Sequence, residues 1–323
     1  MNLIFFDMEG PLSMQDNACE MMKLFPRGGE IFDVIKRYDS LLAAEGGDHY
    51  DPGYGVALIV PFLIHHGITV DDMSRLADRA VIIDGARELI ASLKRWQVFC
   101  VTTSYEQYVA RIMQRVGIDR HNVACTRFPL QRYRSLACEN DHALVHRIEE
   151  EMLSLSREDV AGIKSCLDRF FKVELPRTSF GVAIAEMKPM GGRPKAAALR
   201  NFARIRGQFP EQVVAVGDSI TDSRMLETVD REGGLAIAFN ASEHALYYAT
   251  VGLASTSIAD LKPILDIWEK GGREAVKQAI ERESKKQTES SKFQWLADRC
   301  NLDEALQLHR KARQRVRQTA GLG

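Results

Sequence analysis

The 323-residue sequence lacks the patterns that mark disulfide-rich and strongly charged proteins. Its six cysteines include no Cys-x-x-Cys pair, and four of them lie in apolar or helix-like contexts, which indicates reduced thiols and neither a disulfide framework nor a zinc site. Lysine and arginine total 43 against 44 aspartate and glutamate residues, so the formal net charge is -1. No overall field would therefore recruit nucleic acid or an anionic membrane.

Long hydrophobic runs are also missing. The longest apolar stretch, GVALIVPFLIHHGI, runs from Gly55 to Ile68, which is too short to span a bilayer, and it contains a proline and two histidines. The first residues read as a strand, without the basic region and small-residue cleavage site of a signal peptide. We therefore expect a cytoplasmic protein without membrane insertion.

Six short apolar runs rich in β-branched and aromatic residues predict strands, at Leu3 to Phe6, Val98 to Val101, Val123 to Thr126, Val213 to Val216, Leu235 to Phe239 and Thr250 to Leu253. The runs are continuous and do not alternate with polar residues, as is typical of strands covered by helices on both faces. Helical patterns such as GARELIASLKRW and PKAAALRNFARIRG lie between them. The sequence thus predicts an α/β protein with a doubly wound parallel sheet.

Two helical segments interrupt this alternation and predict insertions. We expect an α/β core from residues 1–12, 83–129 and 178–260, a helical cap at 13–82, a second helical insertion at 130–177 and a C-terminal helical extension at 261–323.

Polar side chains follow the predicted strands or open the helix before one of them: Asp7, Glu9, Thr102, Thr103, Lys195, Asp218 and Asp222. In a parallel α/β sheet the carboxyl ends of the strands form the ligand crevice, so these side chains should meet at one edge. Gathering several acids there is costly unless a cation or a phosphate is bound.

At these positions the sequence resembles the haloacid dehalogenase superfamily of phosphohydrolases. LIFFDMEGPL resembles the hhhhDxDx[TV] motif with glutamate as the second acid, and Thr102 resembles the threonine or serine of the second motif. Lys195 resembles the third-motif lysine, and GDSITD from Gly217 to Asp222 matches GDxxxD. Within the superfamily, the chain resembles an archaeal and bacterial group in which some members are labelled energy-converting hydrogenase A subunit R.

The resemblance implies a phosphohydrolase that uses Mg²⁺. Asp7 would be the nucleophile that forms an aspartyl-phosphate, and Glu9 would be the general acid and later the general base. The metal ligands would be Asp7, Glu9 through its backbone carbonyl, and Asp218, with Asp222 supporting them.

The resemblance also implies that Thr102, Thr103 and Lys195 bind the phosphate, and that Lys195 offsets negative charge. Thr103 or Ser104 could replace Thr102 if the motif alignment shifts by one residue. Lys188 competes with Lys195 for the third motif, and we prefer Lys195 for its distance to Asp218 and its place at a helix start.

Glu9 departs from the family pattern, since its extra methylene moves the carboxyl about 1.5 Å further from the backbone. Three interpretations follow. The first is a phosphatase with a cap that accepts the longer acid, which we favour because the other motif positions are intact. The others are a slow phosphatase or phosphotransferase, and a non-catalytic binding or assembly subunit.

Other polar groups have simpler interpretations. Asp48, His49, Tyr50 and Asp51 could contact the non-phosphate end of a substrate, although a solvated loop is favoured. At His65 and His66, a helix C-terminus with favourable cations outweighs metal binding. The basic final helix is interpreted as a solvated face, with docking to an acidic protein partner or nucleic acid as the minority alternative. The expected ligand is a small phosphorylated metabolite.

Overall fold

One seven-stranded sheet organises the protein. The computed structural model describes residues 2–46, 51–156, 158–208, 210–284 and 293–319. The strands lie in the order β3-β2-β1-β4-β5-β6-β7, and all neighbours are parallel except the β6–β7 pair. Their bounds are β1 Asn2–Phe6, β2 Trp96–Tyr105, β3 Val123–Thr126, β4 Val213–Gly217, β5 Leu235–Phe239, β6 Val251–Leu253 and β7 Phe293–Trp295.

Both faces of the sheet are buried, which explains the continuous apolar runs. Along β1, Ile4 and Phe6 pack into the hydrophobic cluster on one face, whereas Leu3 and Phe5 pack into the cluster on the other. Successive side chains of a strand point to opposite faces, so a strand covered on both sides must be apolar throughout. The predicted doubly wound α/β fold is confirmed.

Helices cover the two faces of this sheet, and their bounds are α6 Ala86–Ser92, α7 Glu106–Val116, α12 Arg193–Ile205, α13 Ser223–Arg231, α14 Glu243–Tyr248, α15 Lys262–Ser284 and α16 Leu302–Thr319. Helix α15 is interrupted at Gly272, which has a φ of +63°. Val276 of α15 and Val316 of α16 are buried in the cluster around Ile4. The C-terminal segment therefore packs on the α/β core and completes its covering.

A separate group of helices forms the cap, with bounds α1 Asn17–Met22, α2 Gly28–Gly46, α3 Gly55–Leu58, α4 Val60–His65, α5 Val70–Arg79, α8 Leu130–Leu136, α9 Glu139–Ser154, α10 Val160–Arg169 and α11 Ser179–Glu186. Helices from both predicted insertions share one hydrophobic cluster, to which Ile35, Phe62, Ile148 and Phe170 belong. Phe180 of α11 packs in this cluster, although the predicted boundary placed residues from 178 onward in the α/β core. The apolar face of α11 is thus buried against cap helices, and the domain bounds stay a prediction.

Strand β7 was not predicted from the sequence. Its three residues pair antiparallel with β6, and Phe293 is buried in the cluster around Ile4. Three residues give too short a pattern to distinguish a strand from a loop.

Among the described residues, no single helix has the length and apolarity needed to cross a membrane. Two consecutive helical segments, Gly55–His65 and Val70–Arg79, reach that length and apolarity only when they are taken together, and the chain bends by 120° between them.

Candidate active site

Three carboxylates from two neighbouring strands converge at the carboxyl edge of the sheet. Asp7 follows β1 and donates its backbone N–H to the carbonyl of Val216 in β4 at 2.9 Å, which sets it beside the turn that carries Asp218 and Asp222. Carboxylate oxygens of Asp7, Asp218 and Asp222 all lie within 4.8 Å of one another. The sheet register thus brings together the predicted acids of the first and fourth motifs.

Lys195 is the counter-charge for two of these acids. Its Nζ lies 2.8 Å from Oδ2 of Asp7 and 2.7 Å from Oδ1 of Asp222, and its side chain is fully buried in the first turn of α12. Burial opposes the charged ammonium, but the attraction of Asp222 and Asp7 outweighs it and raises the pKa of Lys195. Lys188, the competing candidate, is exposed.

Asp222 also organises the turn after β4. Its Oδ2 accepts hydrogen bonds from the backbone N–H groups of Asp218, at 3.0 Å, and Ser219, at 3.1 Å. With Oδ1 held by Lys195, both oxygens of Asp222 have partners, and the side chain lies beneath the site. Asp222 therefore fixes the position of Asp218 from behind.

Glycine is required at position 10, shortly after β1, by two independent constraints. Gly10 has a φ of +85°, and a Cβ built there would lie 2.4 Å from Cγ of Asp218. A side chain at residue 10 would therefore displace an acid from the cluster.

The acid cluster is electrostatically unfavourable by itself. Burial, followed by the negative charge of Asp222, raises the pKa of Asp7 to about 7, although Lys195 opposes this shift. Burial and the charges of Asp222 and Asp7 raise the pKa of Asp218 well above its usual range. One lysine does not compensate three carboxylates, and a hard divalent cation such as Mg²⁺ suits an all-oxygen donor set of this kind. The residues present thus fit the predicted metal.

Glu9 is held by a hydrogen-bond network and not by the acid cluster. Its Oε1 accepts from the backbone N–H of Asn17 at 3.0 Å, from the side-chain amide of Asn17, and from Oγ of Ser104 at 3.2 Å. Burial, followed by the charge of Asp16, raises the pKa of Glu9 to about 8. A protonated carboxyl near neutral pH is the form that a general acid needs.

An irregularity in the ladder between β2 and β3 shapes the second motif. Thr102 pairs with Cys125 but the next pair is Tyr105 with Thr126, so two residues of β2 leave the ladder. Those residues, Thr103 and Ser104, line the cavity, whereas Thr102 is buried and hydrogen-bonds with Ser104. Thr103 donates its hydroxyl to the carbonyl of Met190 at 3.3 Å.

A cavity of about 740 Å³ opens between the sheet edge and the cap. Asp7, Glu9 and Asp218 line its acidic end. Lys36 of α2 and two residues of the C-terminal helix, Arg313 and Arg317, also border it. The cavity therefore extends well beyond the space that a single phosphate group needs.

The chain is similar to proteins of known name and to proteins of known structure. A curated relative from Archaeoglobus fulgidus, named phosphoserine phosphatase, is 25% identical over 267 residues, which are 82% of this chain and 60% of the relative. A solved gene product of Archaeoglobus fulgidus is 26% identical with a TM-score of 0.83, covering 99% of this chain and 98% of that one. No family model matches the sequence.

A third protein has the same fold at lower identity. It is a phosphoserine phosphatase solved as a phospho-aspartyl intermediate analogue, with a TM-score of 0.51, 17% identity, and coverage of 81% of this chain and 97% of that one. The acids and the lysine that resemble the first, third and fourth motifs meet at one sheet edge in this shared fold. The fold and this arrangement of side chains agree with the resemblance to the haloacid dehalogenase superfamily. The narrower label, energy-converting hydrogenase A subunit R, is not confirmed by these comparisons.

Several residues of this candidate site were not predicted from the sequence, among them Asn17, Lys36 and Arg313. Arg313 donates from Nε and Nη2 to the carbonyl of Asn240 at 2.9 and 2.7 Å, and its charge lowers the pKa of Asp218 against the larger effect of burial. The basic final helix therefore turns part of its charge toward the site. Docking of a protein partner on its exposed residues stays a prediction.

The loop before α3 connects the cap to the third motif. Asp51 accepts a hydrogen bond from Nε of Arg193 at 2.9 Å, next to the turn that carries Lys195. Asp48, His49 and Tyr50, also considered as substrate contacts, lie outside the described residues.

Proposed function

We propose that this protein is a Mg²⁺-dependent phosphomonoesterase that hydrolyses a small organic phosphate through an aspartyl-phosphate on Asp7. The observation that carries the proposal is the position of the Asp7 carboxylate, which lines the cavity while Lys195 holds its Oδ2 at 2.8 Å. The curated relative's name, phosphoserine phosphatase, points to the same reaction class. The relative is only partly covered by this chain, so the activity is assigned here from the site.

In the first step, a carboxylate oxygen of Asp7 attacks the substrate phosphorus. A new P–O bond forms to Asp7 and the bond from phosphorus to the ester oxygen breaks, so the alcohol leaves after taking a proton from Glu9. The raised pKa of Glu9, about 8, supplies that proton near neutral pH. Lys195 lies 2.8 Å from Asp7 and favours its ionised form.

In the second step, water attacks the phosphorus of the aspartyl-phosphate. Glu9, now a carboxylate, takes the proton from the water, and the P–O bond to Asp7 breaks to release inorganic phosphate. Hydrogen bonds from Asn17 and Ser104 to Oε1 hold Glu9 in one orientation for both proton transfers. The longer acid is thus anchored by partners of its own.

Asp7, Asp218 and the backbone carbonyl of Glu9 would hold Mg²⁺, which neutralises phosphate charge when bound. Asp222 would orient Asp218 without entering the cavity, since its oxygens are occupied by Lys195 and two backbone N–H groups. Thr103 lines the cavity, and its hydroxyl would turn from the carbonyl of Met190 to a phosphate oxygen, while Ser104 keeps its hydrogen bond to Glu9. Thr102 would support them through its contact with Ser104.

Phosphoserine is the first substrate to test, because the curated relative carries that name. The border of the cavity contains cations, Lys36, Arg313 and Arg317, as well as the acids Asp16 and Asp39. A substrate with charged groups beyond its phosphate would have partners of either sign there.

The test is release of inorganic phosphate by the purified full-length protein from phosphoserine, other phosphorylated metabolites and a generic aryl phosphate, with and without Mg²⁺. We expect Mg²⁺-dependent turnover that Asp7→Asn abolishes and that Lys188→Met, in an exposed lysine outside the site, leaves unchanged. Trapping of phosphate on wild-type protein but not on Asp7→Asn would identify the intermediate. Absence of turnover across the panel would favour the binding-subunit alternative, and stimulation by added alcohols would favour phosphoryl transfer.

A further inference from the structure

A second group of metal-ligating side chains lies in the cap, away from the acid cluster. Ligand atoms of His65, His146 and Glu149 all lie within 4.8 Å of one another. His65 ends α4 in the first insertion, and the other two lie on α9 in the second. We propose that these three residues bind a divalent transition-metal ion of the zinc class.

The helical spacing on α9 places the ligands on one face. Along α9, His146 lies four positions after His142, and Glu149 lies three positions after His146. Residues at these spacings share one face of a helix, and this face is directed toward the C-terminus of α4. Four of the eight histidines of the chain, His65, His66, His142 and His146, are thereby gathered at one helix contact. Two helices that face each other with imidazole and carboxylate groups supply the donor set that zinc takes in proteins.

His142 is a positioning residue for His65. The two Nδ1 atoms lie 3.1 Å apart, so one must donate a proton to the other. If Nδ1 of His65 carries the proton, its Nε2 lone pair is free for the ion, which is the usual arrangement of a metal-bound imidazole and its outer partner. Burial lowers the pKa of His65, which favours the neutral, ligating form of its ring.

His66 positions Glu149 in the same way. Its Nε2 lies 2.8 Å from Oε1 of Glu149, and its ring stacks on Phe25 at a centroid distance of 3.8 Å. Glu149 is buried, and its ion-pair partner among the described residues is this imidazole and not a lysine or arginine. A divalent ion would offset the buried carboxylate charge, which is otherwise weakly compensated.

The site is accessible from solvent on one side. The side chain of His146 is 67% exposed, so an ion can enter and the imidazole can rotate toward it. In a tetrahedral site with Zn–N bonds of about 2.0–2.1 Å, neighbouring ligand atoms are about 3.3 Å apart, a spacing reachable by side-chain rotation from the present positions. A bound ion would tie α4 to α9 and so join the two insertions of the cap.

The test measures zinc binding by calorimetry to the metal-free, tag-free full-length protein in excess Mg²⁺, which occupies oxygen sites and competes poorly for imidazole. We expect one zinc ion per chain, a higher melting temperature with zinc, and at least tenfold weaker binding in His146→Gln. Glu149→Gln should weaken binding similarly, whereas His121→Gln, in an exposed histidine elsewhere, should not.

Asp218→Asn separates this site from the acid cluster. The proposal requires the zinc ion to remain bound in Asp218→Asn, and Co²⁺ bound in its place should give the visible absorption of a tetrahedral site with nitrogen ligands. Zinc binding that is lost in Asp218→Asn, or that is equal in His146→Gln and wild type, would overturn it. The proposal would also be overturned if the wild-type protein bound no zinc in the calorimeter.

Discussion

Asn17 contacts Glu9 with both its backbone N–H and its side-chain amide, and the backbone hydrogen bond to Oε1 measures 3.0 Å. Asn17 also donates to Ser104 of β2, so one residue at the start of the cap connects the acid that follows β1 with the second motif. The longer acid of this chain therefore has a dedicated support.

Replacing Asn17 by alanine should lower kcat by about 10- to 100-fold, since an acid misplaced by about 1 Å can cost that much. The variant keeps the backbone N–H of residue 17 and the contact of Glu9 with Ser104, but it loses the side-chain amide that holds the Glu9 carboxyl. Steady-state kinetics on the best substrate measure the effect. Asn201→Ala, in an exposed asparagine of α12, is the matched control. Equal kcat values in the two variants would show that Glu9 needs no support from Asn17.

Gly10→Ala should reduce activity at least tenfold and raise the Mg²⁺ concentration needed for half-maximal activity. Gly117→Ala is a matched control, because Gly117 has a φ of +88° but a Cβ added there would meet nothing within 4 Å. Both variants carry the strain of a left-handed backbone, about 1 kcal/mol, but only Gly10→Ala displaces Asp218. Melting temperatures and Mg²⁺ titrations of activity distinguish the two effects. A Gly10→Ala enzyme with the wild-type Mg²⁺ requirement would contradict this account.

Arg317→Gln should raise KM about two- to fivefold for a substrate with a second anionic group and leave kcat unchanged, since an exposed ion pair contributes at most about 1 kcal/mol. Arg317 is exposed and lines the cavity, whereas the exposed Arg315 does not. Arg315→Gln therefore controls for loss of charge on the same helix. A neutral alkyl phosphate should show no change in KM with either variant. Identical KM values for the anionic substrate would remove Arg317 from substrate binding.

His309 should make the protein less stable as the pH falls below about 6.5. It is fully buried, accepts a hydrogen bond from the N–H of Ala241 at 2.7 Å, and contacts Oε1 of Gln294 through Nε2 at 3.0 Å. Burial, followed by the charge of Arg313, lowers its pKa to about 3. The unfolded chain therefore binds a proton that the folded protein rejects, so this contribution is complete above pH 6.5 and is lost progressively as the pH falls toward 3.

The measurement is the free energy of unfolding by denaturant at about pH 7.5 and about pH 5, where one pKa unit corresponds to about 1.4 kcal/mol. His309→Gln should be less stable at the higher pH but should lose less stability on acidification than the wild type. His121→Gln should follow the wild type. Comparing the variants cancels the contribution of the acidic residues, whose titration is common to all three proteins. Parallel pH dependence of wild type and His309→Gln would contradict the prediction.

The core strands and the motif residues were predictable because each depends on local pattern. A strand buried on both faces must be continuously apolar, and five of the six predicted runs match strands to within a few residues, while β2 extends further at its end. The order of Asp7, Lys195, Asp218 and Asp222 along the chain, with a parallel sheet, implies their meeting at one edge. Strand β7 escaped prediction because its partner, β6, and not its own pattern defines it.

Side-chain direction and long-range contacts were decided only by the tertiary structure. The irregularity at Thr103 and Ser104 determines which hydroxyl faces the cavity, and it arises from the pairing of β2 with β3. Glu9 contacts a residue 95 positions away, and His65 contacts one 77 positions away. The sequence alone determined which chemical groups are present, in what order and on which kind of element. Packing between elements remote along the chain decided which groups touch, because a contact requires two surfaces to be brought together and local pattern specifies only one of them.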